Sequence, residues 1–393
     1  MEKLLHLLQK DCKLVIGLMS GTSADGMDAA LVEIRGHGLR TSARCLAFVS
    51  IPYDAAVRNE ILRLASGIEG GAHDMSQFSF LLGQLSLEAC RDVIRQAGLS
   101  PSDIDLVGSH GQTLWHQPVA EAYAGRAIRS TLQLGEASVI SEGLGCVTVS
   151  DFRVRDLAAG GLGAPLVPYT EYLLYRSESE TVALQNIGGI GNVTVLPKAC
   201  GLNDVFAFDT GPGNMVMDQL VSHFSGGKQR FDEGGRIARS GQVSEQLLRF
   251  LLDDPYLRLQ PPKTTGREMY GTAYVQRLLT EATRLQLSPT DTVATATRFT
   301  AECVRIALRD FCPVQPDRLI VSGGGSANPA LVEAFRLCCP MPVQTQEDLG
   351  LSSDAKEAVA FAVLANECIH GECNNAPSAT GAAHPVVMGK ISW

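Results

Sequence analysis

The stretch Leu14-Val15-Ile16-Gly17-Leu18-Met19-Ser20-Gly21-Thr22-Ser23-Ala24-Asp25-Gly26-Met27-Asp28-Ala29-Ala30-Leu31-Val32-Glu33-Ile34 decides the architecture. An apolar run enters a turn of small, polar and glycine residues, and a second apolar run leaves it, the pattern of a β-hairpin. Half a chain later, Val182-Ala183-Leu184-Gln185-Asn186-Ile187-Gly188-Gly189-Ile190-Gly191-Asn192-Val193-Thr194-Val195-Leu196 repeats the plan. The two segments share no detailed identity. What repeats is the design, a duplicated architecture in which each half offers one glycine hairpin.

Outward from these hairpins, strands alternate with helices. Helical spacing runs over 54–65 and 76–97, residues 106–113 read as a buried strand ending in a polar loop, and 131–150 read as strand-rich. Further on come a strand at 205–208, helices at 214–224 and 243–252, a loop at 261–270, and helices near 271–286 and 292–311. Strand 318–322 then meets Gly323-Gly324-Gly325 and a helix from Asn328, and residues 354–369 form a last helix. This order predicts an α/β fold. At about 150 residues per domain, 393 residues suit two or three domains. The expected division is 1–150 and 151–369, with a tail at about 370–393 returning to the first part.

Glycine is the compositional outlier, 39 of 393 residues against an average of about 7%. The glycines are clustered, so the clusters are where function is sought. With 45% hydrophobic and 19% charged residues, the chain has ample material for a core. A net charge of -9 provides no basic footprint for nucleic acid. No apolar run reaches the ~18–20 residues that span a bilayer, and the N-terminus lacks a small-residue cleavage site. Eleven dispersed cysteines without a CxxC pair read as free thiols of a cytoplasmic protein.

The turn from Ser20 to Asp28 offers unobstructed backbone amides, the hydroxyls of Thr22 and Ser23, and the carboxylates of Asp25 and Asp28. Such a turn suits a phosphate and an indirectly held magnesium ion. It equally suits an ordinary tight hairpin, because Asp-Gly is a preferred turn pair. Gly226-Gly227-Lys228 lacks the spacing of a Walker A loop, and Gly211-Pro212-Gly213-Asn214 lacks the third glycine of a dinucleotide fingerprint. The open backbone of Gly323, Gly324 and Gly325 suits a base or ribose. Asp209 precedes a glycine turn at a strand end, where its carboxylate serves either a reaction or the capping of that turn.

Several blocks extend the pattern: residues 17–28, His110-Gly111-Gln112-Thr113-Leu114-Trp115-His116, Asp151-Phe152-Arg153 with Asp156, and residues 160–168. Residues 186–192, Asp209-Thr210-Gly211-Pro212-Gly213-Asn214, Thr265-Gly266-Arg267-Glu268, Gly323–Gly325 with Asn328-Pro329, and Glu357-Ala358 follow in order. In outline the set resembles the actin-like, hexokinase and heat-shock ATPases, in which two related halves hold ATP in the cleft between them. In detail it resembles the bacterial anhydro-N-acetylmuramic acid kinases over nearly the whole chain. Two positions depart from that pattern: Leu162 stands where Gln is usual, and Ala24 where Leu or Met is usual.

The resemblance implies a two-domain actin-like (ribonuclease H-like) fold and a kinase that also hydrolyses. ATP phosphorylates O6 of 1,6-anhydro-N-acetylmuramic acid while water opens the anhydro bridge, within peptidoglycan recycling. It implies Asp209 as the base, with Asp156 and Asp151 as runners-up. Gly21, Thr22, Ser23, Ala24, Asp25, Gly26, Met27 and Asp28 are assigned to the ATP phosphates, with Asp25 the indirect Mg²⁺ partner. Gly188, Gly189, Gly191 and Asn192 form the second phosphate hairpin, and Gly323–Gly325 face the adenosine. His110, Gln112, Thr113, Arg153, Asp156, Arg267 and Glu357 are the residues assigned to the sugar. Arg267 is matched to the lactyl carboxylate, unless it pairs with Glu268 instead. Trp115 is either a stacking platform for the sugar or core. A homodimer is the assembly considered, with neither nucleic acid nor membrane as partner. An actin-like ATP-binding switch remains an alternative, and Leu162 keeps open a kinase of a different sugar on the same fold.

Overall fold

The run from Leu14 to Met19 has no apolar-polar alternation, and a strand of that kind is covered on both faces. The computed structural model describes residues 2–21, 24–68, 70–261 and 263–393, and it divides the chain into two units. The first comprises Met1–Leu174 with Ala355–Trp393, the second Tyr175–Asp354.

In the first unit, β1 (Cys12–Ser20), β2 (Gly26–Arg35) and β3 (Ser42–Pro52) form an antiparallel meander. β4 (Leu106–Tyr123) lies parallel to β1, β5 (Arg126–Leu134) pairs back on β4, and β6 (Val147–Ser150) lies parallel to β4. One face of β1 and β2 (Ile16, Leu18, Ala29, Leu31) packs on Cys90, Val93 and Ile94 of helix Ala72–Gln96 and on Ile140 of helix Ala137–Leu144. Helix Lys356–Ile369 covers the opposite face. There Gly17 and Gly108 are register partners on β1 and β4. A Cβ on Gly17 would overlap the carbonyl oxygen of Ala358, and one on Gly108 that of Phe361. Two strand glycines thus let the helix lie directly on the sheet backbone.

The second unit has the same plan. β7 (Val182–Ile187), β8 (Ile190–Leu196) and β9 (Phe206–Pro212) form an antiparallel meander, and β10 (Arg318–Ser322) and β11 (Val343–Thr345) follow in parallel on the β7 side. Its core joins Val193, Val195, Leu319 and Val321 to Val216 and Leu220 of helix Met215–Phe224 and to Phe299 and Val304 of helix Pro289–Phe311. The last strand, β12 (Lys390–Ser392), returns to the first unit and pairs antiparallel with β6. With β5 left aside, which pairs only with β4, and the returning β12 beyond β6, both sheets carry the order third-second-first-fourth-fifth, here β3-β2-β1-β4-β6 and β9-β8-β7-β10-β11. The same α/β half-fold is thus present twice.

Several boundaries differ from the sequence expectation. The first unit takes in residues 355–369 because helix Lys356–Ile369 lies on its sheet, and it runs past residue 150 to helix Val167–Tyr175, which an ion pair (Lys356 Nζ to Glu171, 2.6 Å) ties to that helix. Residues 131–150 hold a helix, Ala137–Leu144, between two strands. His110, Gln112 and Thr113 lie within β4, which continues through them to pair with β5. Asp209 lies inside β9 because antiparallel pairing with β8 carries that strand on to Pro212. No described helix is long and apolar enough to cross a membrane.

Candidate active site

In the first unit the β1–β2 turn is braced from beneath. Ser20 Oγ donates to Gln112 Oε1 at 2.5 Å and receives the Tyr53 hydroxyl at 2.9 Å. Gln112 Nε2 donates to the Gly21 carbonyl at 3.1 Å, so a β4 side chain holds the entry to the turn. Ala24 is buried in left-handed backbone at φ 55, and a Cβ on Gly26 would overlap the Ile51 carbonyl. Met27 is buried in the core, and Asp28 opposes Met19 across the hairpin. Asp25 is exposed, 3.8 Å from Arg58. Thr22 and Ser23 lie outside the described residues. Tyr53 is a brace that no sequence motif singled out.

Beside this turn, Arg153 Nε donates to His110 Nε2 at 3.0 Å. That nitrogen must therefore accept, which leaves the proton on Nδ1, facing the Ser20 carbonyl at 3.3 Å. Burial, and then the Arg153 charge, lower the His110 pKa to about 3, so the ring is a neutral spacer. Arg153 also donates to the Gly163 carbonyl at 2.7 Å, while Gly163 N–H donates to Asp156 Oδ2 at 2.8 Å. Asp156 is fully buried, and its Oδ1 receives Asn375 and Thr380, each at 2.8 Å. Asp156 thus holds the loop 160–166 in place, and Leu162 on that loop is 44% exposed.

Glu357 stands in the first turn of the helix that lies over Gly17 and Gly108. The residue is exposed, yet protein crowds its carboxyl, and this desolvation raises its pKa. Asp28 adds to the effect, while Lys356 and Arg153 oppose it. Asp151 is bound by Lys390 at 2.6 Å, and Thr113 by Gln133 at 3.2 Å. Trp115 is 42% exposed and stands against Gly67.

In the second unit three glycine turns meet at the ends of β7 and β10. Asn214 N–H donates to the Gly188 carbonyl at 2.7 Å, and Gly213 N–H to that of Gly189 at 3.0 Å. A Cβ on Gly213 would overlap the Gly188 carbonyl, and one on Gly325 would overlap Ile187. Gly323 adopts φ +81, where a Cβ would meet Asn186 Oδ1 at 2.7 Å. Gly188 and Gly324 are open by contrast, since a Cβ at either would find its nearest neighbour at 3.7 Å. Their open faces are where a phosphate or ribose can approach backbone. Gly191 is packed against Thr210.

Asp209 opposes the exposed Asn192 across β8 and β9. Its Oδ2 receives the Thr265 N–H at 2.9 Å, and among the described residues Oδ1 takes no hydrogen bond. Burial raises its pKa, with the Thr265 amide opposing. The Thr265 hydroxyl is buried without a partner among the described residues, a polar atom left for a ligand or water. Lys263 anchors this loop, its ammonium 4.2 Å from the Phe311 ring centroid and 4.8 Å from that of Tyr256. Arg267 is exposed and, among the described residues, makes no ion pair with Glu268, so its guanidinium is available to an anion. Sequence reading did not single out Asp218, which burial pushes up to about 6. Its only signal was a lone acid in the apolar helix Met215–Phe224.

Among the described residues no group of three or more His, Cys, Asp or Glu side chains could hold a metal by itself. The exposed Asp25 carboxylate fits a Mg²⁺ ion that arrives with the nucleotide and keeps its water.

Comparison with known proteins finds relatives over the length of the chain. A family model described as anhydro-N-acetylmuramic acid kinase matches residues 13–393. An anhydro-N-acetylmuramic acid kinase of Caldanaerobacter subterraneus subsp. tengcongensis is 53% identical, over 100% of both chains. One of Bacillus cereus (strain G9842) is 42% identical over 96% of this chain and 99% of its own length. Among solved structures, the Clostridium difficile activator of 2-hydroxyisocaproyl-CoA dehydratase, with bound ADPNP, aligns over 91% of this chain and 96% of its own, at 11% identity and TM-score 0.45. The chain belongs to the anhydro-N-acetylmuramic acid kinase family.

Proposed function

We propose that the chain transfers the γ-phosphoryl group of ATP to O6 of 1,6-anhydro-N-acetylmuramic acid while water opens the anhydro bridge. Water oxygen bonds to the anomeric carbon, the bond from that carbon to O6 breaks, and O6 takes the phosphoryl group. The products are N-acetylmuramic acid 6-phosphate, ADP and a proton. The observation that carries this reading is the Asp209 carboxyl, with one oxygen held by Thr265 N–H and the other open.

Asp209 takes the proton from water through Oδ1. A raised pKa makes it a better base than an ordinary carboxylate. Arg267 binds the lactyl carboxylate, and Glu357 and the Arg153–His110 pair orient the sugar. Gln112 and Asp156 act by holding the turn at Gly21 and the loop at Gly163. The backbone of 20–28 and of Gly188–Asn192 binds phosphates, and Gly323–Gly325 lie against the adenosine. Mg²⁺, when bound with the nucleotide, offsets phosphate charge, and Asp25 faces it through water. ATP as substrate and eleven unpaired cysteines support a cytoplasmic enzyme.

The test is turnover of the anhydro sugar with Mg-ATP in ¹⁸O-labelled water, followed by mass spectrometry. One ¹⁸O should appear on the anomeric carbon and none in the phosphate. Label in the phosphate, or turnover of a different sugar only, would overturn the reading.

A further inference from the structure

Lys13 sits at the start of β1, seven residues before Ser20 and so about 23 Å along the strand from the phosphate turn. Its side chain is 1% exposed. A lysine this deep ordinarily has a bonded carboxylate. Among the described residues no hydrogen bond or ion pair reaches its ammonium. Asp105, Asp11 and Glu367 act on it only through space. Asp105 is held by Lys10 at 2.7 Å, and Glu367 by Gly38 N–H and the Thr41 hydroxyl at 2.7 Å each.

Lys13 instead lines a recess of about 330 Å³, enough for a small molecule. Lys10, Arg35 and Arg40 stand around the same recess, with Asp11 its one acidic lining residue. Lys10 pairs with Asp105 and Arg35 with Glu33, whereas exposed Arg40 has no ion pair among the described residues. The wall is formed by His37 and His370, stacked with centroids 4.4 Å apart and planes 13° from parallel. His37 Nδ1 meets Glu372 at 2.8 Å and His370 Nδ1 meets the Asn366 carbonyl at 2.8 Å. With those protons on Nδ1, both rings are fixed by their own partners and leave the anion contacts to Lys13 and Arg40. Carboxylates surround these cations, yet Lys13 and Arg40 are the two lining cations that no carboxylate bonds among the described residues.

We propose that this recess is a second anion site that binds a phosphate dianion, free or as a small phosphomonoester. The charge requirement selects it: Lys13 and Arg40 together match two negative charges, and a guanidinium fork fits two phosphate oxygens. The site is independent of the phosphoryl-transfer reading, because it lies at the opposite end of β1 within the first unit.

The experiment is amide NMR of the isotope-labelled full chain titrated with inorganic phosphate and, separately, with glucose 6-phosphate. Saturable shifts at Gly36, His37, Gly38 and Arg40 are expected. Tighter binding of glucose 6-phosphate would identify a phosphomonoester site, and equal binding a site for the phosphate group alone. Lys13→Met, which keeps the side-chain volume, and surface variant Arg40→Gln should each weaken binding by about tenfold or more. Arg40→Gln leaves the core intact, so it stands if Lys13→Met does not fold. Absence of saturable shifts at those amides, or shifts that Arg40→Gln leaves unchanged, would overturn the proposal. Shifts confined to Gly188–Asn192 would do the same.

Discussion

The backbone N–H of Thr265 donates to Oδ2 of Asp209 at 2.9 Å, so a loop more than fifty residues away in sequence fixes the orientation of this carboxyl. Asn at position 209 can keep that bond through its amide oxygen, but it cannot take a proton from water. Asp209→Asn should therefore lower kcat by a factor of about 10²–10⁴ or more, the usual contribution of a general base. Nucleotide affinity, read by calorimetry with a non-hydrolysable ATP analogue, should stay within about twofold. Turnover near the native rate would remove Asp209 from the role of base.

The same carboxyl sets a pH limb. Asp209 must be ionised to act, and burial raises its pKa above the ordinary 3.8 despite the Thr265 amide. Activity should fall as pH drops through that raised value, with the midpoint of kcat/KM lying above the ordinary carboxylate range. Replacing Thr265 by Pro removes the opposing N–H, and the midpoint should then move further up. A limb at or below the ordinary value in the native chain would contradict the assignment.

The hairpins at 14–34 and 182–196, the strand into Gly323 and the apolar helices were legible because each is written in local periodicity and turn residues. Asp209 was legible as a candidate because a lone acid precedes a glycine turn. Other features depend on contacts made far along the chain. Asp156 looked like a reactive acid, yet its partners Asn375 and Thr380 come from the tail, more than two hundred residues on. Helix Val167–Tyr175 joins the first unit through the Glu171–Lys356 ion pair, which no local pattern encodes. Residues 106–113 were read as a strand ending in a polar loop because polar side chains look like loop. Here they are strand residues whose polarity serves the adjoining turn.

His110 makes stability depend on pH. Its folded pKa is lowered to about 3 from 6.5, so between those values the unfolded chain holds one more proton than the folded one. The stabilisation is full above pH 6.5 and is lost as pH falls toward 3, at up to about 1.4 kcal/mol per pH unit. His110→Gln can still accept from Arg153 and donate to Ser20 without titrating. Urea unfolding at pH 7, 6 and 5 should show a shallower pH dependence for this variant by roughly that slope. Parallel curves for the two proteins would show that His110 does not carry the effect.

Gly17 and Gly108 are strand glycines rather than turn glycines, and their role is to admit a helix. A methyl at either position overlaps a carbonyl of helix Lys356–Ile369, at Ala358 or Phe361. Backbone on both sides leaves no flexible side chain to yield, so Gly17→Ala or Gly108→Ala should each cost about 3 kcal/mol or more. Gly71 provides the control, since a Cβ there meets nothing within 4 Å and its φ is -113. Gly71→Ala should change stability by no more than about 0.5 kcal/mol, as surface substitutions usually do. Because Glu357 stands in the first turn of the same helix, the strand variants that still fold should lose sugar affinity before nucleotide affinity. Calorimetry with each ligand separates the two, and equal losses would mean that the helix does not position the sugar.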